Sequence, residues 1–115
     1  MSGTSVRFFL ILLMAASVTG LVPAIGAAAG AGPVTHQVTI DGVRFDPQEL
    51  TVRAGDTIVW SNHDPFPHTA TAVGRQFNSR EIASGRSWKF TARKKGVFAY
   101  ACLLHPTMLG TLRVE

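Results

Sequence analysis

Along residues 34–115 the apolar positions recur at every second residue in short runs, and no segment keeps a helical period over three turns. VTHQVTI alternates over residues 34–40 and ends at Asp41 and Gly42, a turn pair. ELTVRAGDTIVWSN holds two strands, near residues 49–53 and 57–61, broken at Ala54, Gly55 and Asp56. HTATAV alternates from His68, and RSWKFTA alternates from Arg86 with Trp88 and Phe90 on one face. GVFAYAC covers residues 96–102, and GTLRVE runs over residues 110–115. Residues 74–85 read either as an irregular crossing between sheets or as a short strand. Many short strands at this spacing predict an all-β antiparallel sandwich or barrel.

The N-terminal residues follow a different pattern. Arg7 precedes an apolar run from Phe8 to about Val22, and small residues follow with A-x-A options at residues 27–31. This is the order of an export signal. The run is short for a membrane span and is interrupted by Ser17, Thr19, Gly20 and Pro23. The expected organisation is therefore a signal peptide over residues 1–29, cleaved at about 27–31, and one domain over residues 30–115. The expected location is periplasmic or otherwise exported, with no stable membrane insertion after cleavage. Lys and Arg total 11 against 7 Asp and Glu; Arg7 leaves with the signal, so the domain keeps 10 against 7, or +3. The only basic run is Arg93-Lys94-Lys95, and no aromatic residues interleave with it, so nucleic acid is not an expected partner.

A small exported domain often relies on disulfides or a metal. Cys102 is the only cysteine, so no disulfide can form within the chain. It sits in YACLLHPTML, residues 100–109, with His105 three residues on and Met108 three further. A lone exported cysteine points to a reactive thiol, an intermolecular bridge or a metal ligand. The strand pattern puts Cys102 at the end of a strand and His105 and Met108 in the loop before the last one. His68 opens a strand after NHDPFP, so all four residues can meet at one end of a sandwich. Thiolate and thioether are soft ligands, and imidazole suits copper and zinc. Two histidines and a cysteine with a weak axial methionine make a blue-copper set, whereas structural zinc sites mostly lack methionine. A buried inert thiol and a Cys102–His105 catalytic dyad are the other readings. His63 rivals His68, and His36 lies in the first strand, away from the loop end.

WSN-x5-H over residues 60–68, followed by YACLLHPTM over residues 100–108, resembles the cupredoxins of the plastocyanin and amicyanin group. The short C-x2-H-x2-M loop is most similar to amicyanin-like members. The resemblance covers essentially the whole domain, including FDPQELTVRAGDTIVWSN. It implies a Greek-key β-sandwich holding one copper ion, with Cys102 as thiolate ligand, His68 and His105 as imidazole ligands and Met108 as axial ligand. It implies a monomeric carrier and not an enzyme, shuttling single electrons between a redox donor and acceptor as Cu(I)/Cu(II). A role in copper storage or delivery uses the same ligands. Asn62 falls where such proteins keep an asparagine that ties the ligand loops. Thr69 departs from the pattern, because members often carry asparagine there to brace the cysteine loop, and threonine is shorter. Phe66, Pro67, Leu104, His105 and Pro106 lie in the two ligand loops and are the expected apolar contact for transient redox partners.

Overall fold

In the strand Thr57–Asn62, buried Ile58, Trp60 and Asn62 alternate with half-buried Thr57, Val59 and Ser61. That is the signature of a strand with one face on a core. The computed structural model describes residue 3, residues 15–20 and residues 32–115. Most of the expected signal and all of its cleavage region, residues 27–31, lie outside the described residues. Among the described residues, no helix is long and apolar enough to cross a membrane.

Eight strands form in order: β1 Thr35–Ile40, β2 Phe45–Asp46, β3 Glu49–Val52, β4 Thr57–Asn62, β5 Thr71–Ala72, β6 Ser87–Thr91, β7 Gly96–Cys102 and β8 His105–Val114. They make two four-stranded sheets, β2-β1-β4-β6 and β3-β8-β7-β5. The expected sandwich is present, but its sheets are mixed and not wholly antiparallel. β1 runs parallel to β4, from Thr35 opposite Thr57 to Ile40 opposite Asn62, and β3 runs parallel to β8. The reason is the path of the chain. After β2 it crosses to the second sheet as β3, then returns as β4 beside β1. A parallel neighbour needs such a crossover, and here the opposite sheet supplies it.

Other differences are local. The alternation from His68 yields only two strand residues. His68 and Thr71 instead make single bridges to Ile82 and Asn78, so residues 74–85 are the irregular crossing. β2 is two residues long, too short to show as alternation. The last strand begins at His105, five residues before the expected start at Gly110.

The core joins the sheets through aromatic rings. Trp60 of β4 meets Tyr100 of β7 edge-on at 5.6 Å, and Phe77 from the crossing packs on both, at 5.4 and 5.7 Å. Burying each such side chain contributes roughly 1.5–3 kcal/mol. Burial pushes the Tyr100 hydroxyl up to about 12, so it stays neutral in the core. Its ring lies across its cross-strand partner Gly110, where a β-carbon would run into it. Trp88 and Phe90 stack at 6.1 Å on one face, as the alternation predicts.

One end of the sandwich is pinned by Asp56. Its carboxylate accepts from the Val34 amide at 2.9 Å, the Arg53 amide at 3.0 Å and His36 Nε2 at 2.9 Å. It thereby ties the start of β1 to the β3–β4 turn. The Val34 amide, then the His36 ring and the Arg53 amide, hold its carboxyl down at about 2 against a partial burial cost. A carboxyl whose folded value lies below its unfolded value near 3.8 adds stability above that value and loses it on acidification. Stability is therefore expected to fall from pH 4 to pH 2. In Asp56→Asn the acid limb of a urea-melt series should be shallower and the neutral-pH stability lower. An unchanged acid limb would remove Asp56 as its source.

Candidate metal centre

The opposite end is built by an irregularity in the β7–β8 hairpin. Ala101 pairs with Leu109, so a regular ladder would pair Cys102 with Met108; it pairs instead with His105, a shift of three residues. Leu103 and Leu104 make the turn, and Pro106, Thr107 and Met108 bulge from the ladder. His105 is therefore the first residue of a strand and not a mid-loop residue as expected. The bulge puts Met108 into the interior, with 2% of its surface exposed.

Three of the four expected ligands converge. Cys102 Sγ lies 3.6 Å from His68 Nδ1 and 3.8 Å from His105 Nδ1. The three donor atoms all lie within 4.8 Å of one another. Metal–sulfur and metal–nitrogen bonds of about 2.3 and 2.0 Å, opened to about 120°, put sulfur and nitrogen roughly 3.7 Å apart. The spacing fits one ion in a plane of these three atoms. His68 and Cys102 are buried, and His105 is half-buried.

His68 is oriented by a residue that sequence reasoning missed. Its Nε2 donates to Asp64 Oδ2 at 2.7 Å, which leaves the Nδ1 lone pair facing Cys102. Asp64 also accepts from the amides of Gly42 and Val43 at 2.8 and 2.9 Å. Burial pushes the Asp64 carboxyl up, but the Val43 and Gly42 amides and the His68 ring outweigh it and hold it below the ordinary carboxylate value. Val43 has a φ of 57°, a left-handed conformation that costs a branched residue strain. The carboxylate thus holds a strained β1–β2 turn and a ring together. A signal was available, since an acid stands four residues before His68 in the same loop. His63 is exposed and outside the cluster. His36 is half-buried at the far end against Asp56.

The sequence matches the family described as the cupredoxin-like domain over residues 8–114. The chain belongs to this family. It is 29% identical to an amicyanin of Paracoccus versutus over 83 residues, which is 68% of this chain and 63% of that protein. The chain thus spans less than two thirds of that relative. A Cu(I) structure of an amicyanin mutant superposes with a TM-score of 0.66 at 27% identity, over 70% of this chain and 82% of that one. A Cu-containing nitrite reductase from Thermus scotoductus superposes at 0.65 with 30% identity, over 72% of this chain but 22% of its own.

Within this cupredoxin, two polar residues tie the loops. Asn62 is fully buried, donates to the carbonyls of Phe66 and Ile82 at 2.8 and 2.9 Å, and accepts from the Asp64 amide at 2.9 Å. It fixes the loop that delivers His68. Thr69 closes the gap its shorter side chain led us to expect. Its amide donates to Cys102 Sγ at 3.2 Å, and its hydroxyl oxygen accepts from the Leu103 amide at 2.9 Å. Thr71 Oγ1, 3.0 Å away, steadies that hydroxyl. Thr69→Ala leaves the Leu103 amide without its partner and should cost on the order of 1–2 kcal/mol. Thr69→Ser should keep most of the stability. Urea melts of the metal-free protein check this; equal melts for the alanine and serine variants would show that the hydroxyl does not brace the hairpin.

Proposed function

We propose that this cupredoxin is an exported blue copper protein that carries single electrons between redox partners, with His68, Cys102, His105 and Met108 as its ligands. The observation that carries the reading is the convergence of one buried thiol and two imidazole nitrogens, set by the scaffold at ligand spacing. Thiolate, two imidazoles and a nearby thioether are a donor set for copper cycling between Cu(I) and Cu(II). Copper held there would take up and release one electron. The chain's own part is to keep the donors in place in both states. Asp64 fixes the His68 ring, the Thr69 amide holds the sulfur, and the hairpin fixes His105. Export rests on the order of residues 1–31 in the sequence. The role is that of a monomeric carrier and not of an enzyme. The amicyanin likeness supports a carrier in place of an enzyme, and the nitrite reductase likeness covers only a fraction of that enzyme.

Exposure around His105 supports a partner surface there. Phe66 is 39% exposed and Leu104 45%, beside exposed Pro106 and half-buried Pro67 and His105. The Phe66 ring lies 5.6 Å from that of His105 and 5.2 Å from that of His68. A small apolar rim of this kind suits a brief redox encounter.

Loading the purified protein with Cu(II) should give an intense visible band from thiolate-to-copper charge transfer. Cys102→Ser and His68→Ala should abolish it, and His63→Ala should leave it nearly unchanged. A colourless Cu(II) protein would end the electron-carrier reading and favour copper storage or delivery. Band loss in the His63 variant alone would reassign the first imidazole.

Electron self-exchange between oxidised and reduced copies, read from NMR line broadening, tests the rim. Leu104→Glu puts like charges face to face in the encounter and should slow exchange by about tenfold, with the visible band unchanged. Equal rates would place the electron's exit elsewhere.

A further inference from the structure

The sandwich is not closed along its whole length. β5 is two residues long and meets β7 only at Tyr100 and Ala101. The flank of β7 from Gly96 to Phe98 therefore has no strand beside it, and β6 is the outer strand of the facing sheet. Between these two edges lies a cavity of about 360 Å³. Its walls are Phe77, Phe90, Phe98 and Ala92, and Arg93 and Lys94 stand at it with their charges exposed. Among the described residues, no carboxylate lines it. It sits toward the end opposite Cys102. The Gly55 amide donates to the Ala92 carbonyl, and the Ala92 amide to that of Asp56, which places the β6–β7 turn beside the β3–β4 turn.

An open apolar slot costs the fold, because half-buried Phe90 and Phe98 leave ring surface in water. Neighbouring rings do not fill it. Phe77 packs on Phe90 at 5.0 Å and on Trp88 at 6.3 Å, so these rings form a wall that is already in contact. The volume is at the small end of the range for ligand sites, which pair an apolar lining with a few polar groups. The polar groups here are the Arg93 and Lys94 cations, with uncharged Gln76 and Thr91 beside the phenylalanine rings. That chemistry selects a ligand with an apolar tail and an anionic head.

We propose that this slot binds one anionic amphiphile, its tail between Phe77, Phe90 and Phe98 and its carboxylate or phosphate on Arg93 and Lys94. The site is separate from the metal centre and does not depend on it. A free fatty acid and an anionic lipid from a bilayer share this chemistry.

The test uses the full chain and decanoate below its micelle concentration, followed by aromatic proton–carbon NMR. Binding should saturate at one site, with shifts at Phe77, Phe90 and Phe98 and none at His68 or His105. Decanol, which lacks the charge, should bind at least about tenfold more weakly. The double variant Arg93→Glu, Lys94→Glu changes only exposed side chains, so the fold should hold. It should lose decanoate binding by a similar factor and prefer decyltrimethylammonium. Displacement of decanoate by phosphatidylglycerol vesicles would assign the bilayer as source, and retention would assign a free acid. Non-saturating shifts, shifts away from the three phenylalanines, or equal binding of decanol and decanoate would overturn the proposal.

Discussion

The metal centre depends on one constraint: the Cys102 sulfur must be held in place by groups that are not themselves ligands. The Thr69 amide points at that sulfur, and the Thr69 hydroxyl holds the next amide along the hairpin. One residue therefore fastens the loop that carries His68 to the strand that carries Cys102. The interaction is short-range and belongs to backbone geometry, so it is present before any ion arrives.

The rest of the structure exists to put those two loops side by side. Trp60 and Tyr100 lock the sheets two residues before Asn62 and Cys102 on their respective strands. Alternation then turns Asn62 and Cys102 inward as well. Asn62 holds one loop from inside, and Asp64 ties the β1–β2 turn to the His68 ring. Each ligand is thus reached by a short path from a buried aromatic anchor. A site on rigid elements needs little rearrangement, which suits a centre that changes charge but not shape.

Much of this was legible in the sequence because it is local. Alternation located β1, β3, β4, β6 and β7, and the spacing of Cys102, His105 and Met108 pointed to the hairpin that brings Cys102 and His105 beside His68. The parallel pairings were not legible, since nothing within β1 or β3 distinguishes a parallel neighbour from an antiparallel one. The early start of β8 was hidden for a different reason. Pro106 reads as a loop residue, yet it sits where the ladder has already broken and no strand hydrogen bond is asked of it. Asp64 was missed because its role reaches beyond its own loop to the Gly42 and Val43 amides, a link that no local pattern shows. Thr69 was read by its side-chain length, whereas half of its work is done by its amide.

The three residues that leave the β7–β8 ladder have a consequence for how such a chain can vary. Pairing is intact from Ala101 and Leu109 downward, and it resumes at Cys102 and His105. The stretch between His105 and Leu109 is therefore slack in the accounting of the sheet. Residues inserted or removed there change the distance from imidazole to thioether without sliding any core residue to the wrong face. Ligand geometry and sandwich packing are separable variables in this fold. The chain can alter the environment of the ion through the length of one segment while Leu112, Val114 and Tyr100 keep their positions.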